Sequence, residues 1–515
     1  MDLIKLKQLL LDRNNNLSND QRWTSNIREE FKVNLENKSV ISNKYKTITE
    51  VGIQAVDKSN KDVMTYIQSK EVSGLSNVSN IENNTLLPSY SETINNLNQI
   101  KIIGITGSRG KSTTAFLVHE YLKALGKKSI LYSSIRIDSP ASYINVNEPC
   151  EVPVLNENTL LDIIEEAESY QAEYIVMEVN EGTIQKGLVK DIPFTVRALT
   201  NLDPNHNLEI YTSDEYVRLK ESFFTNIPEN EECTCVLGLT GTLSRDDFNR
   251  LLKLNNKPKI TFGSKYISEL RNADYTNLDC LLYEMNSDLN GIELKVRVKE
   301  SSHNFKTNLI LNHNALNITC AISIIEALGF FDASLFANYI SNINVPGREE
   351  IIKYKDRTII IGVSLNPALE NFKRYKQNSG VNKIKVVLGS IGTGFESWSK
   401  EFNSNLFISK RSYTRNYAMN YLKKYADYAY ITSNDNAAED PYNIAKELQG
   451  YLNNEIPSQI IIDREDAIKK AILESEPNDI IYIAGRGNRR IFCNSKNTVK
   501  LIQDKETVED VLGNL

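Results

Sequence analysis

Residues 100–126 constrain this chain more tightly than any other stretch. IKIIGITG (100–107) is an apolar run ending in glycine, the texture of a buried strand. It passes through SRGKST into AFLVHEYLKALG, which has helical periodicity and a glycine stop at Gly126. A strand, a glycine-rich turn and a helix in that order form a phosphate cradle. The glycines let backbone N–H groups face an anion, and the helix N-terminus adds positive potential. Gly107, Ser108, Arg109 and Gly110 are the expected cradle, with Lys111 reaching the β and γ phosphates, Ser112 offering a hydroxyl to Mg²⁺, and Thr113 completing the expected nucleotide-binding set. The expected ligands are therefore ATP and Mg²⁺. Relative to the common GxxxxGK spacing, Gly104 stands one residue early and Ile105 takes the usual glycine position.

The chain beyond this point alternates strands and helices, which predicts α/β architecture with a parallel sheet. AEYIVMEV and FTVRALTNL read as strands around a helical LLDIIEEAESYQ. A late series of short strands, from CTCVLGL to FKTNLIL, predicts a mixed edge or a flanking sheet. A second α/β unit follows, with strands RTIIIGVS, KIKVVLGS, ADYAYITS and DIIYIAGRG. The expected division is an N-terminal region over 1–98, a central P-loop domain over 99–345, and a Rossmann-like C-terminal α/β domain over 346–515. The first region is Asn- and Ser-rich, with helical pieces expected near Leu3–Leu11 and Asp62–Ser69.

Charge and cysteine usage exclude several classes. The 515 residues carry 60 basic and 66 acidic side chains, a formal net charge of −6, so no nucleic-acid partner is expected. There is no apolar run near 18 residues and no signal-peptide pattern at the start, so no membrane association is expected. Six scattered cysteines form neither a disulfide framework nor a CxxC zinc pattern, which suits a reduced, cytoplasmic protein. Four histidines are too few and too dispersed for a multi-histidine metal centre.

Several ordered motifs resemble the Mur ligase family over about residues 100–515. GITGSRGKSTT is similar to that family's TGTNGKTTT loop, which shares the offset glycine. VMEV places Glu178 at a strand end, where the family has a Mg²⁺-binding glutamate; the family's following Ser-Ser is Asn180-Glu181 here. TNLDPNHNLEIYTSDEYVRLK resembles the family's TNLxxDHLDxHxxxxxYxxxK. The resemblance implies that His206 is a metal ligand and that Lys220, carbamylated by CO₂, is another. A carbamate turns a cation into the oxygen donor that hard Mg²⁺ prefers. Asn205 and Ile210 depart from the family's Asp and second His. In HNALNITCA, Asn314 and Asn317 share a helical face, and the resemblance implies that both lie on the nucleotide, since the family's second asparagine reads adenine. VPGREE implies that Arg348 reaches ATP phosphate, a task suited to its fork of donors. The family's VDYAHxP is IGVSLNP here, so Gly362 stands where an aspartate would hold the ribose, and the basic set GGxRDxxKR is missing.

At the C-terminal end, ITSNDNAAEDP resembles the TSDNPRxEDP segment of tripeptide-forming members, and IAGRGNRRIF resembles IAGKGHE. These matches imply that Asp435, Asn436, Arg486, Asn488 and Arg489 face the incoming substrate. The specificity arginine is Ala437, and Arg489 replaces the glutamate that receives a diamino acid's ammonium. Arg489 and Arg490 favour a carboxylate, which predicts an acidic or peptide-like amine; two surface arginines are the plain structural alternative.

The expected function is an ATP-dependent acid–amino acid ligase working through an acyl-phosphate on small carboxylate and amine substrates. Lys111, Glu178, His206 and Lys220 are its expected catalytic set. Two alternatives stay open: a peptidoglycan UDP-N-acetylmuramoyl-peptide ligase, and a non-catalytic ATP-binding partner subunit. Residues 1–98 show no uridine-binding pattern, and the sequence does not fix the oligomeric state.

Overall fold

The computed structural model describes residues 3–15, 99–139, 157–203, 211–225, 227–229, 231–240, 245–265, 277–378, 380–392, 404–436, 439–489, 491–494 and 498–515. Its first helix, α1 (Leu3–Asn15), buries Leu6 and Leu10 beside a later helix, α3 (Glu157–Tyr170), where Lys7 Nζ meets Glu168 Oε2 at 2.5 Å. The N-terminal helix thus completes the core of the unit that follows it. The expected helix near Asp62–Ser69 lies outside the described residues.

Ten strands form the first sheet. They are β1 (Lys101–Thr106), β2 (Ser129–Tyr132), β3 (Ile137–Asp138), β4 (Tyr174–Glu178), β5 (Phe194–Leu199), β6 (Thr234–Leu239), β7 (Lys259–Ser264), β8 (Cys280–Asp288), β9 (Gly291–Val298) and β10 (Ser301–Thr307). Their order is β10-β9-β8-β7-β6-β5-β1-β4-β2-β3, parallel from β8 to β2 with antiparallel edges. The short late strands therefore extend the main sheet as its mixed edge. Strands β1, β4 and β5 are almost wholly buried, which explains why they read as continuous apolar runs. Helix α2 (Lys111–Ala124) packs one face with α7 (Asn312–Ala327) and α8 (Ala333–Ser341), while α1, α3 and α5 (Ser213–Thr225) help to cover the other. Between α3 and α7 lie the short helices α4 (Glu181–Gln185) and α6 (Arg245–Leu252).

The second sheet has the order β11-β12-β16-β13-β14-β15: β11 (Glu350–Tyr354), β12 (Arg357–Gly362), β13 (Ile384–Leu388), β14 (Tyr428–Ile431), β15 (Ser458–Ile460) and β16 (Ile480–Ala484). Only β11 runs antiparallel. Helices α9 (Leu365–Asn378), α10 (Ser404–Tyr425), α11 (Pro441–Leu452), α12 (Arg464–Leu473) and α13 (Asp504–Gly513) flank it. Helix α10 carries little apolar periodicity in its sequence, which is polar and tyrosine-rich, so it is legible only in the fold. This doubly wound second unit, beside a parallel phosphate-loop sheet, is the α/β architecture that the alternation predicted.

Candidate active site

The carboxyl ends of β5, β1, β4 and β2 are neighbours, so the loops that leave them converge on one spot, the usual ligand edge of an open α/β sheet. The loop after β1 carries Gly107 at φ +144° and Gly110 at φ +80°. Both are glycine for steric reasons. A Cβ at Gly107 would lie 2.0 Å from Thr200 Oγ1, and one at Gly110 would lie 2.1 Å from Asn317 Oδ1. Gly110 caps α2 without any side-chain bond, so the helix's first N–H groups face outward for an anion. Lys111 Nζ folds back onto Gly107 O at 2.9 Å and Ser108 O at 3.5 Å.

The loop after β5 clamps this turn from beneath. Asn201 O accepts from Ser108 N at 3.0 Å, and Asn201 Oδ1 accepts from Arg109 N at 3.0 Å. Thr200 Oγ1 and Asn201 Nδ2 both donate to Arg109 O, and Asp203 N donates to Ser108 Oγ at 2.8 Å. Thr200 and Asn201 were not singled out from sequence, although the TNLD segment held the signal. Arg109 itself is exposed.

Glu178, at the end of β4, is held by the loop after β2. Its Oε2 accepts from Ser134 N at 2.9 Å, Ser134 Oγ at 3.0 Å and Ser133 Oγ at 3.1 Å. Ser134 Oγ lies 2.8 Å from Ser112 Oγ. Burial alone would raise the Glu178 carboxyl, but the Lys111 charge, the Ser134 N–H and Arg348 hold it below the ordinary carboxylate range. Arg348 comes from the second unit: its Nη2 donates to Ser134 Oγ at 2.9 Å and Ser112 Oγ at 3.3 Å.

Lys220, on α5, is 1% exposed and donates to Thr106 Oγ1 at 2.9 Å. It faces Glu181 Oε1 at 2.7 Å, and the Tyr216 hydroxyl donates to that oxygen at 3.1 Å. Burial pulls the Lys220 ammonium down to about 8 even with Glu181 opposing it. Glu181 is held well below the usual carboxylate range: its own burial opposes this, and the Lys220 and Lys111 charges overcome it. Sequence reasoning noted Glu181 only as a departure; the fold makes it the partner of Lys220. His206 lies outside the described residues.

These loops border a cavity of about 420 Å³ whose lining includes Arg109, Gly110, Ser112, Thr113, Asn317 and Arg348. Its far side is built by Glu349, Asn366, Glu370, Tyr417 and Tyr421 of the second unit. Asn317 lines this cavity, but Asn314 does not. Asn314 donates to Ile310 O at 2.7 Å and accepts from Asn317 Nδ2 at 3.0 Å, so it braces Asn317 from inside the helix, a correction to its expected place on the nucleotide.

The expected substrate residues divide in the same way. Arg486 is buried and donates to Asp435 Oδ1 at 2.7 Å, while Arg489 Nη1 stands 3.6 Å from Asp435 Oδ2 and is partly exposed. Asn436 is wholly buried and donates to Glu439 O at 2.8 Å. Asn488 Nδ2 donates to Ile135 O of the first unit. The amide nitrogens of Asn436 and Asn488 are thus engaged by backbone carbonyls of the fold; Arg490 lies outside the described residues.

Comparison with known proteins agrees with this geometry. The Mur ligase middle domain model matches residues 105–325, and the model for the Mur ligase glutamate ligase domain matches residues 347–487. The chain belongs to the Mur ligase family. It is therefore an ATP-dependent enzyme of the class that forms carbon–nitrogen bonds. Among its relatives, the UDP-N-acetylmuramoyl-L-alanyl-D-glutamate–2,6-diaminopimelate ligase of Aquifex aeolicus is 26% identical over 416 residues, covering 81% of this chain and 78% of the relative. The UDP-N-acetylmuramyl-tripeptide synthetase of Ligilactobacillus salivarius is 27% identical over 408 residues, covering 76% and 74%. In fold, this Mur ligase is similar to Mycobacterium tuberculosis folylpolyglutamate synthase complexed with ADP and AMPPCP. That likeness has a TM-score of 0.56 at 15% identity, covering 80% of this chain and 91% of that one. MurF ligase from Thermotoga maritima in complex with ADP gives a TM-score of 0.54 at 16% identity, covering 85% and 88%.

Proposed function

We propose that this Mur ligase joins a substrate carboxylate to an amine through an acyl-phosphate, and that its amine is not a diamino acid. The observation that carries the reading is Arg348. It crosses from the second unit to Ser112 and Ser134, beside Glu178 and the phosphate loop, so closing the two units completes a single phosphate-handling centre.

The donor set fits Mg²⁺. Ser112, Ser134 and Glu178 place three oxygens within hydrogen-bond distance, one of them an ionised carboxylate, with no sulfur or nitrogen ligand among them. Ser112 and Glu178 would hold the ion, with His206 and the carbamate of Lys220 completing the set. When bound, Mg²⁺ neutralises charge on the transferring phosphate. Lys111 and Arg348 bind the phosphates and orient the terminal one toward the carboxylate. The closed cavity then excludes water from the acyl-phosphate until the amine attacks. Positioning of this kind contributes about 7–11 kcal/mol in well-oriented systems.

Two features of the acceptor end support the amine preference. Asp435 faces both Arg486 and Arg489, so two guanidiniums converge on one carboxylate at this end of the site. The position that receives an ammonium in tripeptide-forming members is Arg489 here. The relatives named above act on UDP-N-acetylmuramoyl-peptides, and a carboxylate of that kind is the second reading; the similarity over most of their length favours it. No described helix is long and apolar enough to cross a membrane, and we place the reaction in the cytoplasm, where ATP is supplied.

The test is phosphate release from Mg-ATP over a matrix of carboxylates and amines with bicarbonate present. Release that needs both co-substrates and disappears in Lys111→Ala is the expected result. ATP binding without release for any pair would turn the reading toward a non-catalytic partner subunit.

A further inference from the structure

The turn that delivers Arg348 also delivers a second side chain to the nucleotide cavity. Glu349 has φ +55°, a left-handed backbone that non-glycine residues adopt at a cost, and such strain persists where the surroundings enforce it, often at functional sites. Its side chain is 6% exposed and lines the cavity with His313 and Val363. The next residue, Glu350, is fully used by the protein: it accepts from Gly347 N, Asn344 Nδ2 and Lys505 Nζ. Glu349 is different. Among the described residues no donor lies in hydrogen-bond range of its carboxylate, and His313 Nε2 stands 3.6 Å from it. The buried His313 Nδ1 also lacks a partner.

A carboxylate that opens onto a cavity and takes no donor from the protein is costly to strip of water unless the entering ligand supplies donors. In a nucleotide cavity the phosphates cannot, since they are anions without protons to donate at neutral pH. The ribose hydroxyls can, because a vicinal diol offers two O–H donors to the two oxygens of one carboxylate. The neighbouring strand has made room for this. Gly362 ends β12, and a Cβ there would lie 3.1 Å from Glu349 Oε1 and 2.6 Å from the Tyr482 hydroxyl. A longer residue at 362 and the glutamate at 349 therefore compete for one space.

We propose that Glu349 is the ribose-recognition residue of this enzyme, accepting hydrogen bonds from the 2′- and 3′-hydroxyls of ATP, in place of a side chain at Gly362. This inference rests on the ligase reading above for the presence of ATP.

The experiment is calorimetric titration of the full chain with ATP, 2′-deoxyATP, 3′-deoxyATP and purine riboside triphosphate, which lacks the adenine amine. Each is titrated into wild type, Glu349→Gln and Glu349→Ala, with thermal unfolding to show that the variants fold. Wild type is expected to bind ATP about tenfold or more tightly than either deoxy analogue, the size of a hydrogen bond to a charged acceptor. That preference should vanish in Glu349→Ala and shrink in Glu349→Gln. Equal wild-type affinity for ATP and the deoxy analogues, or discrimination that survives in Glu349→Ala, overturns the assignment. So does a Glu349-dependent loss confined to purine riboside triphosphate, which would place the carboxylate on the base. Failure of every nucleotide to bind would overturn the ligase reading as well, whereas catalysis without ribose discrimination would overturn this inference alone.

Discussion

Lys220 Nζ lies 2.7 Å from Glu181 Oε1 in a setting where the lysine is 1% exposed. The pair sits directly beneath the phosphate loop, because Lys220 also donates to Thr106, the last residue of β1. Two chemical states of Lys220 compete here. As an ammonium it neutralises Glu181; as a carbamate it would add a second anion beside it. Lys220→Arg separates them, since arginine keeps the ion pair and forms no carbamate. Under the carbamate assignment this variant should lose roughly two orders of magnitude in phosphate release, of the order seen when a group orienting a metal is lost. A ¹³C-bicarbonate label should appear on Lys220 of the wild type. Full activity in Lys220→Arg would leave the ammonium pair as the working state.

A single nitrogen of Arg348, Nη2, meets both Ser134 Oγ at 2.9 Å and Ser112 Oγ at 3.3 Å, which leaves the rest of the planar guanidinium for a phosphate. Lysine carries the same charge on a single point and cannot match a planar fork. Arg348→Lys should lower kcat by about 10- to 100-fold, comparable to removing one preorganised donor, with a smaller change in KM for ATP. Steady-state kinetics decide it: a change confined to KM would mean that the contact serves ground-state binding only.

Gly110 cannot become alanine without disturbance. Its φ is +80°, and the new Cβ would meet Asn317 Oδ1 at 2.1 Å. Gly110→Ala should destabilise the protein by about 1–3 kcal/mol through backbone strain and weaken ATP binding by displacing Asn317. Asn317→Ala in the same background should recover part of the stability, which denaturant unfolding would report.

Away from the site, Asp138 is buried beside the His119 ring at 3.0 Å, Arg136 at 2.8 Å and Lys123 at 3.1 Å, with Glu120 sharing the Arg136 and Lys123 charges. Burial by itself would raise the Asp138 carboxyl, but His119, Arg136 and Lys123 hold it well below the ordinary range. The folded state therefore binds this proton less readily than the unfolded state. The resulting stability is complete above an unfolded value of roughly 4 and is lost as pH falls through the lower folded value. Asp138→Asn should cost about 3 kcal/mol at neutral pH, as breaking a buried pair does, and should flatten the acid side of the stability–pH curve. An unchanged curve would mean that the cluster contributes nothing net.

At the acceptor end, Arg489 is the cation of the Asp435 group that retains solvent exposure. Reversing its charge in Arg489→Glu should move the preference from acidic amines toward basic ones. Competition assays between an acidic amino acid and lysine would read the switch. A wild type that already prefers lysine or diaminopimelate would refute the acidic-amine reading outright.

The local pattern of this chain determined a good deal. A glycine-rich turn between an apolar strand and a helix can hardly do anything but present backbone N–H groups to an anion, so Gly107, Gly110, Lys111 and Ser112 were readable before any fold was known. The alternation of strands and helices fixed the α/β class for the same reason: periodicity is a local property. What periodicity cannot supply is who meets whom. Glu181 and Lys220 are 39 positions apart (220 − 181), and Arg348 lies 236 positions beyond Ser112. The adjacency of β5, β1 and β4 brings the first pair together, and the packing of the second unit on the first brings Arg348 to Ser112. Tertiary packing also sorted look-alike residues. Asn317 borders the cavity while Asn314 braces it, and Arg489 stays accessible while the amide nitrogens of Asn436 and Asn488 are engaged by backbone carbonyls. Each outcome follows from burial, because a polar group taken out of water must bond to whatever the fold places beside it. That choice is made by the whole chain rather than by the motif in which the residue sits.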